Sequence, residues 1–211
     1  MYQTRALNPA STLGQVLGIV AVGFLVTALA AHFFTGISRG PAMIAMLVGF
    51  GLLFAIQATG RNPALSLLLF YAFAFAEGLG ITPIIDAYTR LDGPGVVVDA
   101  ATTTGVGMLT LGAIAFMFSF DWRRFSGIAF GLLIALVLAG LVNIFVHFLH
   151  PTVYAWATLA IFSLLTLVDF SRVRASSPYS SPVLYAVNIY LDGSNIFIAL
   201  LTIMSGNRDR R

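Results

Sequence analysis

Residues 183–204 read VLYAVNIYLDGSNIFIALLTIM, a run whose only charge is Asp192. A helix needs about 20 mainly apolar residues to cross a hydrocarbon core roughly 30 Å thick, so this run is long enough to span a bilayer. The chain holds six more runs of that kind. Together the seven are Leu13–Thr35, Pro41–Ala58, Ala64–Tyr88, Asp99–Phe120, Ser126–His150, Val153–Phe170 and Val183–Met204. The breaks between them carry turn chemistry, as in Thr59-Gly60-Arg61-Asn62-Pro63, Asp92-Gly93-Pro94-Gly95 and the serine/proline stretch from Ser176 to Pro182. Alternating-strand periodicity is absent, and every backbone amide in hydrocarbon needs an internal partner, so helices are the spanning element. The prediction is an all-α polytopic membrane protein of seven transmembrane helices in one domain, residues 1–211.

Composition agrees. Of the 211 residues 59% are hydrophobic and 9% charged, against roughly 25% charged in ordinary soluble domains. With no cysteine, disulfides and thiolate metal sites are excluded. The net charge of +3 comes from eleven arginines and eight acids, too few and too scattered for a nucleic-acid surface. No nucleotide-binding loop is present, which argues against active pumping. The arginines read as topological. Arg5, Arg61, Arg123, Arg124, Arg172 and Arg174 fall on one side, and Arg39, Arg90, Arg208, Arg210 and Arg211 on the other if the last run spans. If it dips and returns, the last three change sides and the bias strengthens. Either way the N-terminus is expected in the cytoplasm. Ala28-Leu29-Ala30 resembles a signal-peptidase site, but small residues are common throughout, and the first run is expected to be retained.

An acid or arginine at bilayer depth costs a few kcal/mol even on the mildest scale, so each one is paired, hydrated or functional. Glu77 in the third run, Asp169 near the cytoplasmic end of the sixth, Asp192 inside the seventh and Arg61 at the cytoplasmic mouth stand out. Asp92 is expected in a loop, and Asp86, Asp99 and Asp121 near segment ends as surface charges. In the seventh run Tyr185, Asn188, Asp192, Asn195 and Thr202 share one stripe at 100° per residue, which cannot face lipid and makes that helix central. The same stripe could merely join helices by hydrogen bonds. Asp169 and Asp192 both approach from the cytoplasmic half. If their carboxylates meet, they cannot both ionise cheaply in a low-dielectric site and would share a proton. Deprotonated, they are hard oxygen ligands suited to Ca²⁺. Arg61 could pair with them and latch the mouth, or the three could form a static ion cluster. Glu77, among the small residues Ala74, Ala76, Gly78 and Gly80, must find a donor or water.

His147 and His150 are one helical turn apart if the fifth run is helical throughout, which makes a zinc site conceivable, although with His32 they more simply mark the interface. An intramembrane metal hydrolase would need these outer histidines to converge with the inner aspartates, so the chain is not expected to be an enzyme. Gly14/Gly18 and Gly127/Gly131 have the spacing of close helix contacts.

Tyr71-Ala72 followed by Glu77-Gly78, the sixth run ending in Asp169, and above all Leu191-Asp192-x-x-Asn195-x-Phe197 in the seventh resemble the Bax inhibitor-1 family, also called the transmembrane Bax-inhibitor-motif or YccA-like family. The likeness extends over essentially the whole chain. It implies a seven-helix bundle with the last helix surrounded by the other six, and a pH-sensitive Ca²⁺ leak. It further implies a di-aspartyl sensor at Asp169 and Asp192 and a cytoplasmic arginine latch at Arg61. Phe170-Ser171 stands where many members have threonine and glutamine, and Gly193-Ser194 where bulky aliphatics are usual.

The expected function is thus a cation leak path, Ca²⁺ foremost, gated by protons at the aspartate pair, with Ca²⁺ as cargo and no cofactor. The alternative is a non-conducting regulator that binds another membrane protein, such as a quality-control protease. The lipid bilayer is the solvent, no nucleic acid is a partner, and the expected location is a bacterial inner membrane.

Overall fold

The computed structural model describes residues 9–60, 62–118, 120–177 and 180–208. These form seven α-helices: α1 Pro9–Phe33, α2 Arg39–Ala58, α3 Pro63–Asp92, α4 Gly95–Met117, α5 Ser126–Val146, α6 Pro151–Arg174 and α7 Pro182–Arg208. A 3₁₀ turn, Trp122–Phe125, leads into α5. Among the described residues there is no strand, and all seven helices are long and apolar enough to cross a membrane. They differ in how much of their surface the protein covers. Only 11% of the most apolar stretch around α5 is buried and 17% of that in α2, against 56% in α7. The helix with the most polar sequence stripe is thus the one most enclosed by protein, as a polar face in hydrocarbon requires.

Several ends differ from the expected ones, each for a local reason. α3 runs past Tyr88 to Asp92 and stops at Gly93, whose φ of 81° is the left-handed closure glycine supplies without a Cβ clash. Gly93 N–H donates to Thr89 O at 2.9 Å. Asp92, expected in a loop, is therefore helical, and so is Asp99, because α4 restarts at Gly95. α5 ends at Val146, short of the expected His150. Asn143 takes the Leu149 N–H on its Oδ1 at 2.7 Å and donates its amide to Leu149 O at 3.3 Å, holding the chain in a turn. His147 then adopts a left-handed conformation, φ 52° and ψ 37°. His147 and His150 thus do not share a helical face, which removes the geometry behind the zinc expectation. Among the described residues, no group of three or more histidine and acidic side chains could hold a metal ion.

The chain forms two compact units, the first from Met1–Ala87 with Val173–Tyr190, the second from Tyr88–Arg172 with Leu191–Arg211. In the first, α1, α3 and α7 close around Tyr190, which is fully buried. Its ring stacks on Phe24 at 4.8 Å and meets the edges of Phe70 and Phe73 at 5.4 and 5.6 Å. Its hydroxyl lies 2.5 Å from Thr27 Oγ1. Thr27 directs its own proton to a carbonyl, Ala74 O at 2.9 Å or Gly23 O at 3.0 Å, so Tyr190 is the donor. The small residues flanking Glu77 set the helix spacing. A Cβ on Gly78 would lie 2.6 Å from Thr27 O, and one on Gly80 2.5 Å from Met46 Cγ. Gly14, Gly18, Gly127 and Gly131 have nothing within 4 Å of an added Cβ, so neither glycine spacing singled out in the sequence makes a close contact here.

In the second unit α6 meets three helices. Phe170 packs on Gly112 of α4, Tyr154 on Gly140 of α5, and Ala155 joins Ala199 and Ile203 of α7 in one buried cluster. Tyr88 donates to Thr202 at 3.2 Å, and Ser205 donates to the Asp92 carboxylate, tying the end of α3 to α7.

Candidate functional site

Asp169 and Asp192 both belong to the second unit and are both buried, at 4% and 3% exposed. Asp169 lies on α6 a little more than one turn before its end. That end is longer than expected, since the helix continues through Arg174, and the extension places Arg172 one turn beyond Asp169 on the same face. Arg172 Nη1 donates to Asp169 Oδ1 at 2.7 Å. The pair is asymmetric: 6% of the Asp169 side chain is exposed but 41% of the Arg172 side chain. A buried carboxylate is thus neutralised by a cation whose side chain is partly open to the surroundings.

Asp192 comes from α7, close enough to feel the charges of both Asp169 and Arg172. Thr166, one turn before Asp169 on α6, lies against the same carboxyl. The Thr166 hydroxyl proton goes to Phe162 O at 2.7 Å. Asp192 Oδ2 is buried and has no hydrogen-bond partner. An acceptor in that state costs about 1–3 kcal/mol, more when charged, unless a proton or a cation reaches it. Ser171 Oγ, between Phe170 and Arg172, is likewise buried and unpartnered. The arrangement is a short polar seam of two carboxyls, one guanidinium and the Thr166 hydroxyl on two antiparallel helices. Chemically it can take up a proton or hold a hard cation.

The other expected residues lie as follows. Arg61 is outside the described residues. Glu77, Tyr185 and Asn188 belong to the first unit and are half-buried; Asn195 belongs to the second and is half-buried too. Asn195 donates its amide to Leu191 O at 2.8 Å, one turn back on its own helix, which satisfies it without a second helix. The Glu77 carboxyl makes no hydrogen bond or ion pair with any described residue, so the donor expected for it is not found among them. Sequence reasoning treated Arg172 as a topological charge only. The signal that could have found it is the i, i+3 spacing of acid and arginine, legible once α6 is taken to continue past Phe170. Tyr190 was missed because it lies off the polar stripe.

The family model described as inhibitor of apoptosis-promoting Bax1 matches residues 10–209. An uncharacterized protein of Campylobacter jejuni is 32% identical over 95% of this chain and 84% of its own length. An uncharacterized membrane protein of Vibrio cholerae is 26% identical, over 95% of this chain and 91% of its own. A Golgi anti-apoptotic protein of vaccinia virus is 28% identical, over 91% and 84%. The family match extends across both aspartate-bearing helices.

Proposed function

The chain is an integral membrane protein of the Bax inhibitor-1 family, and from that premise we propose that it forms a proton-sensitive leak path for cations, Ca²⁺ foremost. The observation that carries the reading is the unpartnered, buried Asp192 carboxylate oxygen beside a second buried acid. A membrane protein holds such a group at a cost, and ion and proton pathways are where that cost has a use. With both carboxyls ionised the seam attracts a divalent cation; a proton on one of them removes a ligand charge and weakens that hold. Arg61, in the connection between α2 and α3, is assigned the latch on sequence grounds. Pairing with an ionised aspartate closes the cytoplasmic mouth, and protonation releases it. The proposed setting is a bacterial inner membrane, from the family resemblance, with the N-terminus in the cytoplasm, from the arginine distribution.

The test is Ca²⁺ entry into proteoliposomes across a pH series, on wild type, Asp169→Asn and Asp192→Asn. Wild type should conduct with a pH dependence that Asp192→Asn abolishes. An Asp192→Asn protein that conducts with the wild-type pH profile would remove the sensor. The second reading, resting on the serine/proline connection from Ser176 to Pro182, is a non-conducting regulator that binds another membrane protein. Flat flux at every pH together with a membrane protein co-purified from native membranes is its signature.

A further inference from the structure

We infer that Arg172 is a tethered rival to the incoming cation, one that occupies Asp169 and thereby sets how tightly the aspartate seam holds a divalent ion. The inference rests on the cation-path reading and deepens it. Three observations support it. The Arg172–Asp169 pair is short, 2.7 Å, and is built on one helix turn, so it forms without any second helix moving. The Asp192 oxygen is buried beside it with no partner of its own, so one acceptor is left over after the arginine is counted. The arginine side chain is 41% exposed, so the guanidinium can leave toward the headgroup region while Asp169 stays where it is.

The consequence is a matter of charge count. Among the described residues, Asp169, Asp192 and Arg172 are the charges that act on one another here. With the arginine in place the seam carries one negative charge fewer than its two carboxylates supply. A Ca²⁺ ion drawn to it gains from both acids and is repelled by the guanidinium, and it reaches full coordination at Asp169 only when Arg172 has let go. Affinity in oxygen-ligand sites follows the number of ligand charges. Arg172 therefore keeps the hold loose, which a path that must release its ion requires.

Equilibrium dialysis of the purified full chain in detergent against ⁴⁵Ca²⁺, at one alkaline pH, reads this directly. Arg172→Gln should bind Ca²⁺ about tenfold more tightly than wild type, since one repelling unit charge at close range has gone. Arg172→Lys keeps the charge and should stay near wild type, which a purely packing role for the arginine would not produce. Should Arg172→Gln fail to accumulate because Asp169 is left unpaired, the comparison moves to Arg172→His at the same alkaline pH, where a neutral imidazole N–H can still donate to Asp169 without the charge. It too should bind about tenfold more tightly than wild type. Equal or weaker binding in whichever of these two variants is measured, or no Ca²⁺ binding by any of these proteins, overturns the proposal. Proteoliposome flux answers the other question separately: a wild type that binds Ca²⁺ but passes none ends the path reading and leaves the role of Arg172 standing.

Discussion

Replacing Gly78 by alanine tests how rigidly the first unit is built. The added Cβ would lie 2.6 Å from Thr27 O, 2.8 Å from Ala30 Cβ and 3.0 Å from Thr27 Cα. Two of these three are backbone atoms of α1, so no rotamer change relieves the clash. Reaching the 3.4 Å of ordinary contact requires α1 and α3 to part by about 0.8 Å, a shift on the scale of overpacking that cores resist. The same shift stretches the 2.9 Å bond from Thr27 to Ala74 O, which crosses the same pair of helices. Overpacking costs about 1–3 kcal/mol and the weakened hydrogen bond about 1 kcal/mol, while alanine returns about 1 kcal/mol of helix propensity. The expected net loss is about 2 kcal/mol, or a fall in Tm of about 4–8 °C for a chain of this size. Gly131→Ala is the internal control, since nothing lies within 4 Å of its added Cβ. It should melt at or slightly above the wild-type temperature. Thermal denaturation of both variants in one detergent decides the matter. A Gly78→Ala protein as stable as Gly131→Ala would refute the close α1–α3 contact.

Tyr190→Phe removes only the hydroxyl on Thr27 and should cost about 1 kcal/mol in the same melting assay, whereas Tyr190→Ala leaves a cavity among Phe24, Phe70 and Phe73 and should cost about 3–5 kcal/mol; equal losses would show that the ring packing is not what the site depends on. His147→Gly should raise the melting temperature by relieving a left-handed residue worth about 1 kcal/mol, and His147→Ala should not. The Asp121 carboxyl, outside the spans, is held below its usual range chiefly by its hydrogen bonds to the Arg123 side chain. A carboxyl with a depressed folded pKa contributes its stability at neutral pH and loses it as pH falls through the acidic range. The small stability gap between wild type and Asp121→Asn should therefore close on acidification, and a gap constant with pH would contradict the pairing.

Seven spans were legible from residue order because hydrocarbon admits no irregular backbone, so length and hydropathy alone mark each crossing. The same rule made Asp169 and Asp192 conspicuous, since a charge inside such a run has no bland place to sit. Helix ends were less legible. Asn143 reaching Leu149, and the left-handed turn at His147 that follows, involve residues several positions apart, and hydropathy carries no trace of them. Partners were the least legible of all. That Arg172 holds Asp169, that Asp192 keeps a bare oxygen, and that Thr27 bridges Tyr190 and α3 all depend on which faces the helices turn to each other. Composition determines which residues must leave lipid. Only packed neighbours determine what each of them meets, because a hydrogen bond or ion pair forms over about 3 Å and is set by helix rotation and register.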